Sequence, residues 1–109
     1  MPFDNHGNRS FTAMSVGKNA PASSGVYGLA DARQWIYVGE TANIQAELAG
    51  HLRSPNSFLK EHAPSGFTFE LSTVEHRRER RNRLVAELDP IGNRPVGQLS
   101  NRPVRASEV

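Results

Sequence analysis

A chain of 109 residues with 37% apolar side chains holds one small domain and a modest core. It has no cysteine, which excludes disulfides, thiolate chemistry and Cys-based zinc sites. Lys and Arg number 13 against 11 Asp and Glu, so the distribution of charge says more than its sum.

No apolar run is long enough for a transmembrane helix, so no membrane partner is expected. The N-terminal residues, with Asp4, Asn5 and His6, lack the apolar core of a secretory signal. The missing cysteines suit a reducing cytoplasm, which is the expected location.

Residues 1–23 are rich in Asn, Ser, Gly and Ala and read as a flexible N-terminal segment. Within it, Phe11–Val16 is either an edge strand or a stretch lying against the core, and Gly17–Ser24 is loop by composition. Gly25–Ala30 reads as a strand, Asp31, Ala32 and Arg33 as a turn, and Gln34–Gly39 as a second strand. Alternation sends Val26 and Gly28 one way and Tyr27 the other, and puts Trp35 and Tyr37 on a shared face. A helix follows from Thr41, the expected N-cap, with Ile44, Leu48 and Leu52 on its apolar stripe. Asn43, Glu47 and His51 form the bordering stripe. Two phenols, an amide, a carboxylate and an imidazole are therefore expected to converge.

Ser54 and Pro55 open a short helix running to about His62, with Phe58 and Leu59 inward. Phe67–Ser72 alternates as a strand with one buried face. Val74–Leu88 reads as the second long helix, with Thr73 as its N-cap and Asp89-Pro90 as its stop. It carries Arg77, Arg78, Arg80, Arg81 and Arg83, a basic run suited to phosphate. Stepping back from Leu84, Val85 and Leu88 puts Arg81, Arg77 and Arg78 on the core side, where an arginine needs an acid. Residues 94–109 read as a flexible tail. His6, His62 and His76 lack metal-ligand spacing and are expected at the surface. The order of elements gives an α+β domain: a small three-stranded, mainly antiparallel sheet flanked by helices.

Gly25-Val26-Tyr27 followed after about ten residues by Tyr37-Val38-Gly39 resembles the two signature triplets of the GIY-YIG endonuclease family. The resemblance continues through Thr41, Asn43, Ile44, His51, Leu84-Val85, Pro90 and Asn93, and so covers residues 24–93. It implies the same α+β architecture. It also implies a site that cuts DNA phosphodiesters with one divalent metal, using Tyr27 as base candidate and Tyr37 and His51 to position phosphate or relay protons. Gly25, Gly39, Asn43 and Asn93 would brace that site.

The family's pattern has an arginine where this chain has Glu47 and a metal-binding glutamate where it has Arg81. The swap reads most simply as an ion pair of reversed polarity across the cleft, leaving a degenerate domain that binds nucleic acid, DNA in the first instance, through Tyr27, Tyr37, Arg77, Arg78 and Arg80. No resident cofactor is then expected. An active, rearranged endonuclease using Mg²⁺ or Mn²⁺, with Glu47 as metal ligand beside His51, is the second reading. A protein-interaction module with a protein partner is the third.

Overall fold

The computed structural model describes residues 9–94. The expectations for residues 1–8, His6 among them, and for the tail from 95 onward lie outside the described residues.

Four antiparallel strands form one sheet: β1 (Arg9–Ser10), β2 (Gly25–Ala30), β3 (Trp35–Thr41) and β4 (Gly66–Leu71), in the spatial order β1-β4-β2-β3. Four helices accompany them: α1 (Ala13–Asn19), α2 (Ile44–Arg53), α3 (Ser57–His62) and α4 (Arg77–Leu88). A short 3₁₀ turn, Ile91–Asn93, closes the described chain. The α+β architecture is the one expected, with the two-residue β1 adding a fourth strand at the edge.

Residues 9–23 are more ordered than their composition suggests. Arg9 and Ser10 pair with Phe67 and Gly66, and Ala13–Asn19 forms a helix, where an edge strand over Phe11–Val16 was one expectation and a loop from Gly17 the other. Thr12 caps α1 by accepting from Ser15 N–H, and Val16 is fully buried. Small polar residues disguise the helix because Val16 is its only large buried side chain.

Three of the helix starts also move. Asn43, not Thr41, is the N-cap of α2: its side chain accepts from Ala46 N–H, while the Thr41 hydroxyl accepts from Asn43 N–H. Asn56 caps α3 instead of Ser54, accepting from Leu59 N–H. α4 begins at Arg77, because Val74–His76 forms a turn first, and Thr73 contributes its backbone carbonyl to His76 and Arg77 N–H. Asn43 is thereby committed to the helix end and does not join the cleft.

β2 sits in the middle of the sheet, and its alternation divides the core. One layer joins Tyr27, Leu29, Ile36 and Phe67 to Val16, Ile44, Leu48 and Leu59 from the helices. The other joins Val26 and Val38 to Leu84 of α4, with Trp35, Val85 and Leu88 packed against them. Leu29 lies opposite Tyr37 and Ala30 opposite Trp35, so Ile36 is an extra residue in β3. This bulge overturns the expected shared face: Tyr37 packs with the Tyr27 layer and Trp35 with the α4 layer.

Candidate functional site

Tyr27 and Tyr37 project from neighbouring strands, and α2 lays His51 and Glu47 beside them. The Tyr27 hydroxyl lies 2.8 Å from His51 Nε2, and the Glu47 carboxylate approaches the same nitrogen at 3.6 Å. Ring centroids are 6.1 Å apart for Tyr27–Tyr37 and 5.7 Å for Tyr27–His51. Three of the expected groups, two phenols and an imidazole, thus meet, and the carboxylate joins them.

Gly39 makes this packing possible. It lies directly across the ladder from Tyr27, and a Cβ there would come within 2.6 Å of the Tyr27 Cζ and Oη. No described glycine has a positive φ, so Gly39 is needed for space under the phenol and not for its backbone conformation. Gly25 plays the same part at the other end of β2, where a Cβ would collide with the Glu70 carbonyl and come within 2.8 Å of Ile44 Cδ1.

Asn93 braces β3 from outside the sheet. Its Oδ1 accepts from Val38 N–H at 2.8 Å and its Nδ2 donates to the Val38 carbonyl at 2.9 Å. One amide side chain therefore satisfies both backbone groups that β3, as an edge strand, turns outward there. That fixes the strand segment carrying Tyr37.

Electrostatics decide which group holds a proton. Burial, then the nearby Tyr37 and the Glu47 carboxylate, push the Tyr27 hydroxyl far above the ordinary phenol range. Tyr27 is only 1% exposed and stays a neutral phenol. The hydrogen bond the structure gives the Tyr27 hydroxyl is the 2.8 Å contact with His51 Nε2, and which of the two donates follows the imidazole tautomer. The base role that the resemblance implies for Tyr27 is disfavoured by this environment. Burial also lowers the His51 pKa, partly offset by Glu47, so the imidazole is neutral near pH 7.

The expected Glu47–Arg81 ion pair does not form. Glu47 engages His51 and Tyr27, and Arg81 donates its Nε to Asn82 Oδ1. α2 packs on one layer of the sheet and α4 on the other, so the inward arginines of α4 find acids on the strands instead. Arg77 Nε reaches Glu40 Oε1 at 2.6 Å, and Arg80 grips both carboxylate oxygens of Glu70 at 2.8 and 2.9 Å. Of the three arginines expected to meet phosphate, Arg77 and Arg80 are thus turned into the sheet. Arg78 remains on the surface with its side chain 78% exposed.

The resemblance also implies a divalent cation, and the donors present do not suit one. Glu47 and His51 supply one carboxylate and one imidazole, the imidazole already bonded to Tyr27 and the carboxylate facing it at 3.6 Å, and the helical position of the expected carboxylate holds Arg81. Among the described residues no group of three or more His, Asp or Glu side chains converges as a metal site.

Beside His51 a recess of about 240 Å³ opens, lined by Tyr37, His51, Asn56, Phe58, Leu59 and Gly92. Sequence reasoning missed Asn56, Phe58 and Gly92 as a group because α3 and the 3₁₀ turn are far apart in the chain. Among the described residues no helix is long and apolar enough to cross a membrane.

No family model matches the chain, and no curated protein does. Solved structures do. The chain is similar to the GIY-YIG N-terminal endonuclease domain of UvrC from Thermotoga maritima bound to its catalytic magnesium. That match has a TM-score of 0.62 at 16% identity and covers 72% of this chain and 96% of that one. A tyrosine-to-phenylalanine mutant of the same domain, bound to the catalytic divalent cation, gives 0.63 at 15% identity over 73% and 96%. An asparagine-to-alanine mutant gives 0.59 at 16% over 69% and 90%. The chain therefore folds as a GIY-YIG-like domain.

Proposed function

We propose that this domain binds nucleic acid in the manner of a nuclease-family domain that no longer hydrolyses it through a metal ion. The observation that carries the reading is the state of the cleft. The phenol–imidazole–carboxylate cluster is intact and closed on itself, while the last helix offers Arg81 where a metal-binding carboxylate would stand. Arg78 and Arg83 are exposed, each only loosely paired at 3.8 Å, with Glu40 and Glu79; they favour an anionic partner, and phosphate is the simplest anion of the right geometry for guanidinium groups. The UvrC domain is an endonuclease with a catalytic divalent cation. For this chain a working metal site would have to be assembled from Glu47 and His51 alone.

A plasmid-nicking assay with Mg²⁺, Mn²⁺ or EDTA, run beside a gel shift on the same DNA, tests this. The expected result is a shift without cutting in all three conditions. Metal-dependent nicking that disappears in His51→Ala would instead establish an active, rearranged endonuclease.

One observation favours a second reading. Glu40 and Glu70 engage three of the five arginines of α4, Arg77 and Arg80 closely and Arg78 at 3.8 Å, which lowers the positive potential a nucleic acid would feel. A protein-interaction module would need no such potential. Neither cutting nor shift would support it.

A further inference from the structure

The recess beside His51 has a floor, walls and an open rim of different chemistry. Phe58 and Leu59 supply apolar surface, Tyr37 and His51 stand edge to face with centroids 6.4 Å apart, and Gly92 closes the floor. The floor must be glycine, since a Cβ on residue 92 would sit 2.7 Å from both the Phe58 ring and the Ile36 carbonyl. Phe58 is itself held from behind by the His62 ring at 4.5 Å.

The polar groups at the rim have unused capacity. Asn56 spends its Oδ1 on Leu59 N–H, which leaves its Nδ2 donors open, and the residue is exposed. The Tyr37 hydroxyl has no protein partner among the described residues. A small recess lined by aromatic and apolar side chains with a few polar groups among them matches one ligand class well: a planar heterocycle with acceptors on its edge.

Size narrows the choice. About 240 Å³ falls below the roughly 300–1,000 Å³ of pockets that enclose drug-sized ligands. A heterocyclic ring system fits, while a sugar and phosphate stay outside. An adjoining recess of about 180 Å³ shares His51 and Leu59 and adds Lys60, which has no acidic partner among the described residues. A cation next to an aromatic slot is how proteins hold a base and its phosphate together.

We infer that this recess captures a single unstacked nucleobase, with Lys60 against the adjacent phosphate, so that the domain prefers single-stranded to duplex nucleic acid. The inference rests on the nucleic-acid reading above and specifies the form of the ligand. Bases inside a duplex are stacked on both faces and cannot enter a slot of this kind without being flipped out.

The test is fluorescence anisotropy with labelled single-stranded DNA, single-stranded RNA of the same sequence, and the DNA duplex. The proteins are the parent chain, Phe58→Leu, Tyr37→Phe and Lys60→Gln, each checked by thermal melting. Phe58→Leu keeps apolar volume and removes the ring. Tyr37→Phe keeps the ring and removes the hydroxyl, which guards against a folding failure in the first variant.

Both single strands are expected to bind more tightly than the duplex. Phe58→Leu should weaken single-strand binding about tenfold with a small drop in melting temperature, and Tyr37→Phe severalfold with melting unchanged. Lys60→Gln should make the salt dependence shallower. Equal affinity for duplex and single strands, untouched by either aromatic change, would overturn the recess while leaving nucleic-acid binding in place. No binding of any of the three probes would overturn both.

Discussion

His51 is the residue whose titration should be visible in the stability of the whole domain. Burial lowers its folded pKa beneath the unfolded imidazole value of about 6.5. The sign follows from linkage: the unfolded chain takes up the proton first as pH falls. The stabilisation is therefore fully present above about pH 6.5 and is lost as pH drops from there through the lower folded value. The charged groups facing the ring are few: Glu47 at 3.6 Å opposes the shift, and Tyr27 stays neutral. The melting temperature should thus fall between about pH 7.5 and about pH 5.5. In His51→Gln that difference should shrink, and an unchanged difference would assign the titration elsewhere. The convergence of Tyr27, Tyr37, Glu47 and His51 was legible in the sequence, because strand alternation and a four-residue helical step are local rules. The protonation states were not legible. They depend on how deeply Tyr27 is buried, and that depth is set by Gly39 across the ladder and Ile44 and Leu48 above it.

Helix α4 shows what happens when a basic run faces a sheet. Its inward positions are Arg77, Arg80, Leu84 and Leu88, and the first two would be costly to bury without partners. Glu40 and Glu70 lie on the face of the sheet that α4 covers. Their carboxylates, 19% and 13% exposed, hold the guanidinium groups by charge-assisted bonds. The helix is therefore fastened at its N-terminal half by ion pairs and at its C-terminal half by Leu84, Val85 and Leu88. Removing one member strands the other in a half-buried place. Glu70→Gln and Glu40→Gln should each cost roughly 1–3 kcal/mol in urea unfolding, and Arg78→Ala less than about 0.5 kcal/mol. Equal, negligible effects in all three would mean the strand carboxylates do not anchor the helix. The helix itself was readable from the sequence, including its stop at Asp89-Pro90. Its partners were not, because Glu40 and Glu70 belong to strands that read only as alternating patterns. The requirement that an inward arginine find an acid was the right physical demand, answered by the strands and not by α2. The bulge at Ile36 hid Trp35 in the same way: one extra residue in β3 reverses a face that simple alternation would assign.

At the scale of the whole molecule, the sheet separates two kinds of surface. One side carries the closed Tyr27–Glu47–His51 cluster and the aromatic recess, and the other carries α4 with Arg78 and Arg83 outward. A basic run counted from sequence therefore overstates the charge available to a polyanion. Each phosphate contact contributes about −0.7 to −0.9 to the slope of log K against log salt. Arg78→Gln should accordingly reduce the magnitude of that slope by roughly one unit at most, with no change in melting temperature. Arg77→Gln and Arg80→Gln should do the reverse, lowering the melting temperature and leaving the slope as it is, since their guanidinium groups face Glu40 and Glu70. Measuring slope and melting temperature on the same three variants separates anchoring arginines from binding ones. Were Arg77→Gln and Arg80→Gln to flatten the slope as Arg78→Gln does, the ion pairs to the sheet would have to open when nucleic acid binds. Such opening would couple binding to release of α4 from the strands, and Glu40→Gln would then be expected to raise affinity by freeing Arg77.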